Sequence, residues 1–154
     1  FEGCSNREIK FYKNTNDNNE RIFNKSKIKY TNYMFSKTSN LIIDLSFFNT
    51  KYVENMIQMF SYSNNNTFNN FSSLDTSSVR NMNHMFAFSD FTSLNLSSFD
   101  TSLVTDISSM FECLKISSLD LSSFNTSSVV VMSNMFSESL LTSLDLSNFN
   151  MKTI

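Results

Sequence analysis

Hydrophobic positions along the chain repeat with a long period. Met-Phe recurs at Met34-Phe35, Met59-Phe60, Met85-Phe86, Met110-Phe111 and Met135-Phe136, in steps of 25, 26, 25 and 25 residues. Seven residues before each Phe of the pair stands Ile28, Val53, Val79, Val104 or Val129. Four before it stands Thr31, Met56, Met82, Ile107 or Met132, so that Thr31 alone breaks an apolar column. Twelve before it come Phe23, Phe48, Leu74, Phe99 and Phe124, and a further unit opens at Phe149. Self-similarity of this kind marks a chain built from stacked copies of one small unit.

Two hydrophobic periods alternate within a unit. Val104, Ile107, Met110 and Phe111 follow the spacing of one face of a short helix, as do Val129, Met132, Met135 and Phe136. Ahead of them, Asp100-Thr101-Ser102 and Asn125-Thr126-Ser127 supply side chains that cap a helix N-terminus. After them, Ser118 to Ser122 and Ser143 to Ser147 alternate polar and apolar, the period of a strand with one buried face. Each unit therefore predicts a cap, a short helix, a turn and a short strand. Stacking places Leu94, Leu119 and Leu144 in register, with Leu96, Leu121 and Leu146 beside them. The expected fold is an α/β solenoid, with short parallel strands on one face and short helices on the other. Phe and Met fill its interior, for which core packing is a far better reading than a cofactor box.

The segment carrying Leu141, Leu144, Leu146 and Phe149 matches the leucine-rich-repeat signature LxxLxLxx, with Phe where that motif usually has Asn or Cys. The unit SSLDLSSFNTSSVVVMSNMF, from Ser117 to Phe136, resembles the BspA-like leucine-rich-repeat family of bacterial surface proteins. The resemblance covers roughly residues 41–154. It implies a leucine-rich-repeat solenoid and a surface-exposed or secreted binding and adhesion module without catalytic activity.

Residues 1–40 keep only Phe23, Ile28 and Met34-Phe35 of the pattern, which predicts an N-terminal cap with a degenerate first repeat. Residues 41–154 form the regular array, ending in a truncated repeat that offers itself for end-to-end self-association. Between Phe60 and Phe86 the unit is one residue longer. There Asn64, Asn65 and Asn66 form a polar tract and Phe68 and Phe71 replace leucines, which predicts an irregular third strand.

Composition sharpens this picture. The chain of 154 residues has one Gly and no Pro, while Ser, Thr and Asn supply 63 residues. Turns must then be closed by short polar side chains hydrogen-bonded to nearby backbone. Much of the polarity is structural. Formal net charge is −2, which leaves no footprint for nucleic acid. Residues 1–40 are locally basic, with Lys25, Lys27, Lys29 and Tyr30 among them; a charged cap is preferred there over a site for anionic lipid or glycan. No apolar run approaches the roughly 20 residues needed to cross a bilayer. With no initiating Met, the chain reads as a processed or excised piece.

Candidate binding residues are the outward side chains of the predicted strands. They form three columns: Ser93, Ser118 and Ser143; Asn95, Asp120 and Asp145; Ser97, Ser122 and Ser147, with Asp44 extending the middle one. A flat polar ladder of this type suits a protein or glycan partner, and a solvated sheet face is the plainer alternative. One column of aspartates gives too few oxygens for calcium. His84 is the only histidine, so no histidine metal cluster arises, and no nucleophile, base or phosphate loop marks an enzyme. No cofactor is expected. Cys113 reads as a small buried thiol at a helix end; spacing leaves it open whether Cys4 and Cys113 are paired or free.

Overall fold

A computed structural model of the chain describes residues 27–150. The predictions for Cys4, Phe23 and Lys25 fall outside that span. Strand β1 (Ile42–Asp44) pairs in parallel with β2 (Thr67–Asn69), with Ile42 opposite Thr67, Ile43 opposite Phe68 and Asp44 opposite Asn69. A single 3-10 turn follows each strand, at Leu45–Phe47 and Phe71–Ser73. Isolated parallel bridges link Tyr30 to Asn55, Asn55 to Asn81, Asn81 to Asp106 and Asp106 to Val131. Successive units of the repeat therefore lie alongside one another.

The predicted helices do not form, and the described residues contain no α-helix. Their segments are runs of turns. Met85 and Ala87 donate to the carbonyls of Met82 and His84, three residues back, while Met82, His84, Phe86 and Phe88 donate to Asp106, Ser108, Met110 and Glu112 of the next unit at 2.8–3.0 Å. The physical reason lies in the backbone. His84 and Phe88 have φ of 54° and 59°, and the equivalent pairs Gln58/Tyr62, Ser109/Cys113 and Asn134/Glu138 are left-handed too. A left-handed residue at every fourth position interrupts the α-helical ladder and aims alternate N–H groups at the neighbouring unit. Each such residue costs about 1–2 kcal/mol. Cross-unit hydrogen bonds, at about 0.5–1.5 kcal/mol each, and burial of the Phe beside them offset it.

The strand prediction also shifts. No strand forms around Leu94, Leu119 or Leu144, whereas the third unit, expected to be irregular, holds β2. Ile42, Ile43, Thr67 and Phe68 are β-branched or aromatic and suit a pleated ladder. In the later units Asn95, Asp120 and Asp145 each accept the N–H of the residue two ahead, Ser97, Ser122 and Ser147, at 2.9–3.1 Å, the same turn that Asp44 makes with Ser46 at the end of β1.

The core is an aromatic spine. Phe35, Phe60, Phe86, Phe111 and Phe136 stack with centroids 5.5, 5.6, 5.8 and 5.7 Å apart and rings within 18° of parallel. Phe48, Leu74, Phe99, Phe124 and Phe149 form a second buried column. Thr31 sits buried in the apolar column because its hydroxyl reaches the Met59 sulfur at 3.4 Å. Buried threonines tie the units together. The Thr76 hydroxyl donates to the carbonyl of Asp100 and accepts its N–H, and Thr101 does the same with Asn125.

Candidate ligand-binding face

All nine residues of the three candidate columns are exposed. The structure brings neighbouring rungs together around shallow grooves. One, of about 460 Å³, lies between Ser118, Leu119 and Asp120 on one side and Ser143, Leu144 and Asp145 on the other. A smaller one, of about 150 Å³, adds Leu121, Ser122, Ser147 and Asn148. Leucine forms the floor and hydroxyl and carboxylate the walls.

The middle column differs from a free carboxylate ladder. The Asp120 Oδ1 accepts the Ser122 N–H at 2.9 Å, and the Asp145 Oδ1 accepts that of Ser147 at 2.9 Å. These bonds, first from the backbone N–H and then from the serine hydroxyl, hold both carboxyls below the ordinary aspartate range. Asn95 makes the same turn with its amide oxygen. All three residues are exposed, and the backbone N–H bonds use only Oδ1 of Asp120, Asp145 and Asn95. Ser93, Ser118 and Ser143 are not drawn into such turns.

The sequence identified this turn chemistry only at Asp100 and Asn125, as caps. Both caps are present, to Ser102 at 2.9 Å and Ser127 at 3.0 Å, although no helix follows. The recurring signal is an Asp or Asn two residues before a Ser, Lys, Ile or Asn, as at Asn49, Asn55, Asp75, Asn81 and Asp106.

The remaining candidates lie elsewhere in the array. His84 is part-buried; its Nδ1 lies 2.7 Å from Asn83 Oδ1 and its Nε2 3.6 Å from Glu112. Cys113 is a half-exposed free thiol, not a buried one, with φ of 53° and its Sγ 3.5 Å from Glu138. Burial, then the Glu138 carboxylate, raise its pKa, which keeps it a thiol at neutral pH. In the basic N-terminal segment, Lys29 pairs with Glu54 at 2.8 Å and Lys27 lies over the Tyr52 ring. Among the described residues no three His, Cys, Asp or Glu side chains converge as metal ligands, and no helix is long and apolar enough to cross a membrane.

The repeat seen in the fold has a counterpart at family level. The family described as "Mycoplasma protein of unknown function, DUF285" matches residues 6–90 and again 61–154, which together take in nearly all of the chain. The chain belongs to this family. DUF285 fits it twice over spans that overlap at 61–90, as tandem similar units allow. No curated protein and no solved structure matches the chain.

Proposed function

We propose that this DUF285 chain is a non-catalytic binding module of the BspA-like leucine-rich-repeat kind, displayed at a cell surface or secreted. It would engage a protein or glycan through the face that carries the Ser and Asp columns. The observation that carries this reading is the state of that face. Its nine polar side chains are exposed at unit spacing, and the three serines of the first column, with one oxygen of each aspartate, are left over after the turns are closed. Weak contacts repeated over adjacent rungs would add into useful affinity.

The test uses the serines, because their side chains hold no turn together. A Ser118→Arg/Ser143→Arg double variant should lose binding to whatever a glycan and host-protein array retains on the parent chain. Its circular dichroism and melting should match the parent. Undiminished binding would remove this face from consideration.

A second reading, an assembly or spacer unit, is favoured by one feature of the last described unit. Met132, Asn134, Phe136 and Glu138 occupy the positions whose N–H groups donate to the next unit everywhere upstream, and among the described residues these four have no acceptor. A following unit or a second molecule would take up that row. Light scattering across a concentration series distinguishes the readings: mass that grows with concentration supports assembly, and a constant monomer mass argues against it.

A further inference from the structure

The turn segment of the third unit is hydrogen-bonded to the fourth, but its strand segment, residues 65–70, makes most of its side-chain bonds to the second. Asn65 donates through Nδ2 to Asn40 Oδ1, Asn66 donates to the carbonyl and hydroxyl of Thr38, and Asn70 donates to Asp44. The Asn66 Oδ1 also accepts the N–H of Leu41 at 2.8 Å. All four partners lie in the unit before. Toward the unit after, the Asn65 N–H reaches Asp90 Oδ1 at 2.8 Å, and the strand ladder does not continue past β2. The amide tract thus ties β2 to the unit before it, and a cleft of about 690 Å³ lies between β2 and residues 90–95. That volume falls in the usual range for a small-ligand site, about 300–1,000 Å³.

We propose that this cleft binds a neutral saccharide, a proposal that rests on the strand-face reading above and fixes its partner class and place. The lining contains no Lys, Arg or His, so a phosphate, sulfate or nucleic-acid ligand would find no counter-charge. Instead it presents side-chain hydrogen-bonding groups that the fold leaves unused. Asn69 and Thr67 alternate outward from β2 and are exposed. Asp90 is oriented through Oδ1, which leaves Oδ2 to accept from sugar hydroxyls, and Asn95 keeps its amide N–H donors because only its Oδ1 closes the turn. Amide, carboxylate and hydroxyl groups match an array of hydroxyls that each donate and accept. Phe91 adds a half-buried ring at the same cleft, a surface for the apolar C–H face of a pyranose.

The experiment presents the full chain to immobilised neutral glucans, mannans, galactans and chito-oligosaccharides, followed by calorimetric titration with the best-retained oligosaccharide. Binding that withstands high salt is expected. Asp90→Asn keeps the acceptor for Asn65 and loses the free oxygen, and Asn69→Ala removes the amide; each should weaken affinity about tenfold or more. Val130→Ser, at an exposed position outside the cleft, should leave it unchanged. If the saccharides bind but Asp90→Asn and Asn69→Ala have no effect while Ser118→Arg/Ser143→Arg abolishes binding, the cleft is overturned and the strand face stands. Retention of a host protein without any saccharide overturns the partner class alone, and displacement of the sugar by an extended peptide pairing with the β2 edge does the same. Retention of nothing overturns both readings.

Discussion

Replacing Phe86 tests whether the aromatic spine carries the fold. Its side chain has no exposure and lies between Phe60, 5.6 Å away with the rings at 3°, and Phe111, 5.8 Å away at 0°. Phe91 approaches edge-on at 5.8 Å and Phe99 at 6.3 Å. Truncation to Ala removes burial and leaves a hole that stacked neighbours on both sides prevent from collapsing, for which about 3–5 kcal/mol is expected. That is a large share of the roughly 5–15 kcal/mol that holds a domain folded. Leu is the more informative substitution. It keeps most of the apolar volume but removes both parallel ring contacts, each worth about 0.5–1.5 kcal/mol beyond burial, giving about 1–3 kcal/mol in total.

Phe136 supplies the internal comparison. It is only part-buried and stacks on Phe111 alone among the described residues, so Phe136→Leu should cost about half as much as Phe86→Leu. In urea, with a slope near 2 kcal/mol/M, Phe86→Leu should lower the midpoint by about 0.5–1.5 M. Equal midpoint shifts for the two variants would refute the view that stacking on both sides, rather than apolar volume, is what the central Phe contributes.

Other expectations follow from the polar network. Thr101→Val leaves the N–H and carbonyl of Asn125 without their partner inside the array, and should cost about 1–3 kcal/mol by urea denaturation despite its near-identical volume. Asp120→Asn should lower the melting temperature less than Asp120→Ala, because the amide oxygen still accepts the Ser122 N–H and only the carboxylate charge is lost; thermal melts followed by circular dichroism compare the two. Asp100, Asp120 and Asp145 are held below the usual carboxylate range by hydrogen bonds from Ser102, Ser122 and Ser147. A depressed folded-state pKa gives stability that is present above the unfolded value of about 3.9 and lost as pH falls through the folded one. Melting temperature should therefore hold between about pH 5 and 7 and drop below about pH 4, and a rise on acidification would contradict this assignment.

The two hydrophobic columns were legible in the sequence because burial depends on side-chain size and period, and both survive any detail of backbone path. Local backbone geometry was not legible in the same way. Val104, Ile107, Met110 and Phe111 are spaced three, three and one apart, and consecutive turns place residues on one side at that spacing just as a helix does. In most proteins Gly would mark the left-handed positions. Here they hold Gln58, His84, Ser109 and Asn134 in one column and Tyr62, Phe88, Cys113 and Glu138 in the other, with no common residue type to betray them. The extra residue and the Asn tract predicted an irregular third strand. The strand there is nonetheless formed, because the Asn side chains bond backward to Thr38 and Asn40 and support the pairing of β2 with β1, a direction that one-dimensional spacing does not encode.

That division of labour bears on how the candidate face could acquire specificity. The turn at Asn95, Asp120 and Asp145 needs one side-chain oxygen placed to accept an N–H two residues ahead, and both Asn and Asp supply it. The fold is then indifferent to which of the two stands there. The second atom of the same group, an amide nitrogen or a carboxylate oxygen, is not used in that bond and alone distinguishes a donor from an acceptor. Each rung can switch between neutral donor and charged acceptor without disturbing the stacked phenylalanines beneath. At the cleft this gives Asn95 as donor near Asp90 as acceptor, while the distal rungs present acceptors at Asp120 and Asp145. A ligand offering both donors and acceptors fits the first arrangement better than the second, which is why the cleft, rather than the more regular distal ladder, is the place to expect the saccharide.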